Sequence, residues 1–156
     1  MDIVFLLTGG TEPAFWNEAM AVFESRLKHY ARYKRQELPA LKLGRAEAEV
    51  WKAAEAEQQL KCIQPGDFVV LLTESGEAFT SRQFAQKLQK WQNASPKRLL
   101  FVVGGAFGFH EKVLEVAEAK LSLSPLTFSH QLVRVVFLEQ LYRAFTLLNN
   151  QPYHND

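Results

Sequence analysis

Leu99-Leu100-Phe101-Val102-Val103-Gly104-Gly105-Ala106-Phe107-Gly108 is an apolar run that closes on paired glycines. Five consecutive apolar residues with no polar alternation describe a strand covered on both faces, the situation of a parallel sheet. A second short apolar and serine segment, Leu121-Ser122-Leu123-Ser124-Pro125-Leu126-Thr127, follows and leads directly into a long helix. Two backbone-rich loops are thereby expected at strand ends. In open α/β sheets ligands bind beyond the carboxyl ends of the strands, where main-chain groups are not consumed by the ladder. A small cofactor site is the first expectation.

The rest of the chain supplies the layers such a sheet needs. Asp2 to Thr8 reads as a buried strand, and Gly9-Gly10-Thr11-Glu12-Pro13 turns the chain, with Thr11 the expected N-cap. Trp16, Met20, Phe23, Leu27 and Tyr30 recur at steps of four and three, the stripe of a helix packed on a sheet. Lys34 to Pro39 suits a short strand. Ala46 to Leu60 has high helix propensity, with Val50, Trp51 and Ala54 expected on one side. Phe68 to Leu72 is another continuous apolar strand, and Glu74-Ser75-Gly76-Glu77 is expected to turn. Thr80 or Ser81 then caps a helix carrying Phe84, Leu88 and Trp91. The alternation β-α-β-α-β-α-β predicts an α/β fold, a mostly parallel sheet with helices on both faces. No linker or repeat divides residues 1–156, so one domain is expected.

The final helix, expected from Gln131 to Leu148, is apolar on more than one face, through Leu132, Val135, Val136, Leu138, Leu141, Tyr142, Phe145 and Leu148. Such breadth points to burial within the chain or under a second copy, which makes a homodimer plausible. The chain of 156 residues is 47% hydrophobic and 12% aromatic, the composition of a folded globular protein. A formal net charge of +1 offers no global attraction to polyanions. Any nucleic-acid binding must come from a local patch or from a dimer surface, and Arg26, Lys28, Arg32, Lys34, Arg35, Lys42 and Arg45 form the densest positive run, weakened by Glu47, Glu49, Glu55 and Glu57. Cys62 is the single cysteine, so no intrachain disulfide exists, and the first apolar run is too short for a signal peptide or membrane span. A cytoplasmic protein is expected. His29, His110, His130 and His154 show no zinc spacing, no metal site is expected, and no phosphate-loop motif occurs.

Several pieces in order resemble one family. They are Leu72 with Gly76; Val103-Gly104-Gly105; Ser122 through Arg134; Glu139 through Phe145; and Pro152-Tyr153-His154. Together they resemble the RlmH-type SPOUT methyltransferases, which use S-adenosylmethionine to methylate the 3-nitrogen of a pseudouridine in large-subunit (23S) ribosomal RNA. The resemblance covers essentially the whole chain. It implies a deep trefoil knot in the C-terminal half, a homodimer with the substrate pocket near its interface, and action on RNA within the assembled ribosome. It also implies a cofactor site at Leu72, Gly104, Leu123, Ser124, Pro125, Leu126, Thr127 and Phe128. There a glycine admits close backbone approach, leucines flank an adenine ring, and main-chain groups of residues 124–128 read its edge. Read without the family, the same glycines end a strand and the same leucines are core.

Methyl transfer from a sulfonium to a base nitrogen is an in-line displacement in which the enzyme positions the reactants. The imide nitrogen carries a proton near neutral pH, so a proton acceptor or a stabilising cation is also needed. His154, Arg134, His130 and Arg143 are the candidates, with Tyr153 placed to stack on or hydrogen-bond the target base. Arg134 suits a phosphate or a base carbonyl, or else an ion pair with Glu139 or a partner chain, with His130 capping the helix. Two positions depart from the family pattern: Asn155, where a basic residue is common, and Ala106-Phe107 in the glycine loop. Two other readings stand beside this one, a SPOUT enzyme with another RNA target and a non-catalytic nucleotide-binding α/β module.

Overall fold

A computed structural model describes residues 1–156. Its centre is one sheet of five parallel strands: β1 (Asp2–Leu7), β2 (Arg32–Glu37), β3 (Asp67–Ala78), β4 (Arg98–Val103) and β5 (Ala119–Ser122). They lie in the order β2-β1-β4-β3-β5. The helices are α1 (Ala14–Leu27), α2 (Ala48–Cys62), α3 (Ser81–Asn93), α4 (Glu111–Val116) and α5 (Leu132–Leu148). The apolar run at Leu99 becomes β4, held between β1 and β3 with Leu100 opposite Val4 and Val69. Central position explains why no residue from Leu99 to Val103 is polar.

Side-chain alternation divides the core in two. Ile3, Phe5, Leu7, Leu99 and Phe101 face the layer of α1, α3 and α5, whereas Val4, Leu6, Leu100 and Val102 face that of α2 and α4. Phe137 of α5 anchors the larger core, its ring 4.8 Å from those of both Phe5 and Phe101. This buries most of α5's broad apolar surface inside one chain. Thr80 caps α3 with a reciprocal box to Gln83, as expected.

Other local expectations give way to packing. The Glu74–Glu77 segment does not turn; β3 continues to Ala78 and resumes pairing with β5 after an irregularity. Gly76 is required there because a Cβ would lie 2.6 Å from the Lys120 carbonyl carbon. Residues 119–122 and 111–116 add a strand and a short helix to the expected series. On α2 the buried residues are Glu55, Ala56 and Gln59, while Val50 is 50% exposed, so the inward face is turned from the Val50-Trp51-Ala54 side. Thr11 does not cap α1, whose N-cap is Pro13 without a side-chain bond. Its hydroxyl is used elsewhere.

Candidate active site

Three separated segments meet at the carboxyl edge of β3, β4 and β5. Leu72 ends the buried part of β3, Gly104 follows β4, and residues 123–128 leave β5; they enclose a cleft of about 160 Å³. Of the eight expected cofactor residues, all but Pro125 line it. The cleft is built from main chain and apolar side chains, with Leu72, Leu121, Leu123 and Leu126 around it, and Leu126 itself 73% exposed. Local bonds set the loop: the Ser122 hydroxyl donates to the Ser124 carbonyl at 3.0 Å, and the Leu126 N–H donates to Ser124 Oγ at 2.9 Å. Thr127 ties it to β3 by donating to the Glu74 carboxylate. Gly104 packs closely at the cleft, since a Cβ there would stand 3.3 Å from the Phe109 ring.

Arg134 is placed otherwise than expected. It is fully buried, and its guanidinium donates to the carbonyls of Thr8, Gly9 and Gly10 at 3.0, 3.2 and 3.0 Å, to Thr11 Oγ1 at 2.8 Å and to its own helix at His130. These bonds use its donors, leaving none for a phosphate or base carbonyl. It is a brace between the β1–α1 turn and α5. Burial lowers its pKa to about 10, still well above neutrality, so it stays charged. Its expected partner Glu139 pairs with Arg143 instead. The charge beside Arg134 comes from Glu37, which receives the Thr11 hydroxyl. Burial alone would raise the Glu37 pKa; the Thr11 and Arg35 hydrogen bonds bring it below the usual range.

His130 does not cap α5: Ser129 Oγ accepts the Leu132 N–H at 3.1 Å, and His130 lies at the cleft. Burial and then the Arg134 charge lower its pKa, so its imidazole is neutral at neutral pH.

Tyr153 and His154 sit at the other end of α5. From Val133, at the cleft, to Arg143 is roughly 15 Å along the helix at about 1.5 Å per residue. There the Tyr153 hydroxyl donates to Glu139 at 3.0 Å, and Arg143 lies over the Tyr153 ring at 4.8 Å. The imidazole of His154 spans Arg143, at 3.1 Å, and Asp156, at 2.9 Å; Asp156 in turn takes a two-pronged bond from Arg82. These bonds, with the Arg82 and His154 charges, hold the Asp156 carboxyl down at about 2. The tail is a pinned cluster, separate from the cleft of its own chain.

A second cavity, of about 300 Å³, lies between α2 and the loop after β4. It shares Gly105, Ala106 and His130 with the first, so the two adjoin. Glu55, read from sequence as a surface charge, projects into it. The residue is 9% exposed, makes no hydrogen bond or ion pair, and burial raises its pKa. Nothing in the alanine- and glutamate-rich helix distinguishes it; the signal is tertiary, the approach of Gly105, whose Cβ would fall 2.7 Å from Glu55 Oε1. The basic run is also smaller than its sequence suggests, because Arg35 is bonded to Glu24, Glu37 and Asn17.

Comparison with known proteins agrees with this geometry. A family model described as predicted SPOUT methyltransferase matches residues 1–154. The chain is 45% identical over 157 residues to the ribosomal RNA large subunit methyltransferase H of Parabacteroides distasonis, covering all of both chains. It is 43% identical to the protein of that name from Christiangramia forsetii, over 99% of each. Among solved structures, a probable methylase family protein from Haemophilus influenzae superposes with a TM-score of 0.56 at 14% identity, over 95% of this chain and 66% of that one, a likeness of fold alone. A parallel sheet whose strand-end loops converge on one cleft, matched along almost every residue, makes the chain a member of the SPOUT methyltransferase family.

Proposed function

We propose that this protein is an S-adenosylmethionine-dependent methyltransferase that methylates the 3-nitrogen of a pseudouridine in 23S ribosomal RNA, acting as a cytoplasmic homodimer on the assembled ribosome. The convergence of Leu72, Gly104 and residues 123–128 on one cleft carries this reading. The donor set suits the group: apolar leucines for an adenine face, exposed peptide groups of a serine-pinned loop for its edge, and a glycine where bulk is excluded. The bound donor supplies an electrophilic methyl on a positively charged sulfur. Gly104 and the 123–128 loop would hold it, Leu72 and Leu126 would shield it from water, and neutral His130 lies at the junction with the neighbouring cavity. The trefoil knot belongs to the same reading, with residues 104–131 carrying the threaded loops.

The tail supports the dimer. Tyr153 and His154 are ordered by side chains yet remote from their own cleft, so in the homodimer they complete the cleft of the other subunit. His154 of the partner subunit would then stand beside the target nucleotide.

Two measurements test the reading. Isothermal titration with S-adenosylmethionine gives saturable heat, and mass mapping of ribosomal RNA from cells lacking the gene shows one missing methyl. Transfer to tRNA but not to ribosomes assigns another RNA target; no binding at all leaves a non-catalytic module.

A further inference from the structure

The cavity beside α2 contains chemistry the cleft lacks. Glu55 Oε1 and Gln58 Oε1 are both buried without hydrogen-bond partners. They stand one turn apart on α2, and both residues line the cavity. Gln58 is oriented by its amide N–H₂, which donates to the Pro39 carbonyl at 3.0 Å, and its carbonyl oxygen is left over. Buried acceptors without donors are costly, at about 1–3 kcal/mol each. A fold that keeps two of them on one wall is arranged to receive N–H groups. The mouth is aromatic: Trp51 and Phe107 pack at 6.4 Å between ring centroids, and Phe107 is 50% exposed. Aromatic rims and a hydrogen-bonding floor are the attributes of pockets that take a base out of its stack.

Resting on the methyltransferase reading above, we propose that this cavity seats the methyl-accepting pyrimidine and that Glu55 is the catalytic residue that takes its imide proton. Pseudouridine is attached through carbon and so presents two ring N–H groups where uridine presents one; two acceptors match it, Glu55 on the reacting N3–H and Gln58 on N1–H. As the N3–C bond forms, the S–C bond breaks and its electron pair stays on sulfur, which becomes a neutral thioether. The N3 proton passes to Glu55. A cation and a carboxylate are thus consumed together, and a cavity that shuns charge favours that change. Burial, which raises the affinity of Glu55 for a proton, serves the same end. This cavity and the donor cleft share Gly105, Ala106 and His130 in their linings, so the two adjoin, as a direct transfer demands. His130, the only other titratable residue lining the cavity, remains neutral at their junction.

The test uses the full-length protein, labelled S-adenosylmethionine and ribosomes from a strain lacking the gene. Glu55→Gln is expected to lower the single-turnover rate at saturating donor by on the order of 10²–10³, with donor affinity kept, the melting temperature not lowered, and part of the rate recovered by Glu55→Asp. An undiminished rate in Glu55→Gln, with the unmodified protein active, overturns the proposal alone. Weakened donor binding with an unchanged saturating rate assigns the carboxylate to the donor's ammonium group and also overturns it. No transfer by the unmodified protein overturns the functional reading and this proposal together. Gln58→Leu provides an independent arm: it should reduce the preference for pseudouridine-containing over uridine-containing ribosomes, and an unchanged preference removes Gln58 from the assignment.

Discussion

The two cavities on either side of Gly105 are made in opposite ways. The cleft at β3, β4 and β5 is formed largely by peptide groups, glycine and leucines, and the hydroxyls of its loop are satisfied: Ser124 is bonded within the loop and Thr127 to Glu74 of β3. The cavity at α2 presents side chains on its helical wall, and two of their oxygens, on Glu55 and Gln58, are left unpaired. A site that grips through main chain depends on backbone shape and is indifferent to many substitutions. A site that reacts through side chains depends on single atoms. One loop therefore separates a wall that binds from a wall set up for chemistry.

Arg134 underlies both walls, and its loss is the severest challenge to that contrast. Arg134→Met removes the guanidinium from the carbonyls of Thr8 and Gly9, while that of Gly10 keeps the Gln131 amide, and a loss of about 3 kcal/mol is expected, as for other broken buried charge networks. At this chain length the melting temperature should fall by roughly 6–12 °C, measured by circular dichroism. A variant as stable as the parent would mean the brace holds nothing. Gly105→Ala comes next. Its new methyl meets the Glu55 carboxylate rather than the cleft, so the transfer rate should drop about 10–100-fold by loss of a positioned acid–base group, with donor affinity unchanged by calorimetry. Equal damage to both would erase the division of labour.

Ser124→Ala addresses the other wall. It removes the acceptor of the Leu126 N–H and should weaken donor binding by about 1 kcal/mol, some five-fold, while the rate at saturating donor stays level. The last effect is one of direction. Because the pKa of Glu55 is raised by folding, its carboxylate costs stability at neutral pH, and the unmodified protein gains stability as pH falls through that raised value. Glu55→Gln should therefore melt above the parent at neutral pH and lose this advantage on acidification. Lower stability of the variant at neutral pH would show a hidden partner for the carboxylate.

Much of this was legible in the chain. Strands β1 and β4 follow from uninterrupted apolar runs, α3 from its cap and stripe, and the cleft from glycines and leucines at strand ends, with the family resemblance joining the segments. What escaped depends on contacts between distant residues. Glu74 to Glu77 has turn-forming composition, and only the pairing with β5, where a Cβ at Gly76 would lie 2.6 Å from the Lys120 carbonyl carbon, makes Gly76 a strand residue. Thr11 resembles a cap until Arg134 and Glu37 claim its hydroxyl. An arginine and a glutamate are ordinarily surface residues; Arg134 is drawn inside by carbonyls more than a hundred positions away in the chain, and Glu55 by a glycine fifty positions on. Periodicity carries no record of either meeting.

The brace also imposes an order on biosynthesis. The turn that follows the first strand is made almost at once, yet the guanidinium that quenches its carbonyls arrives only with residue 134 of 156. Until then those oxygens must keep their hydration, and the amino-terminal turn of the nascent chain stays provisional. What is translated first is thus among the last parts to be finished.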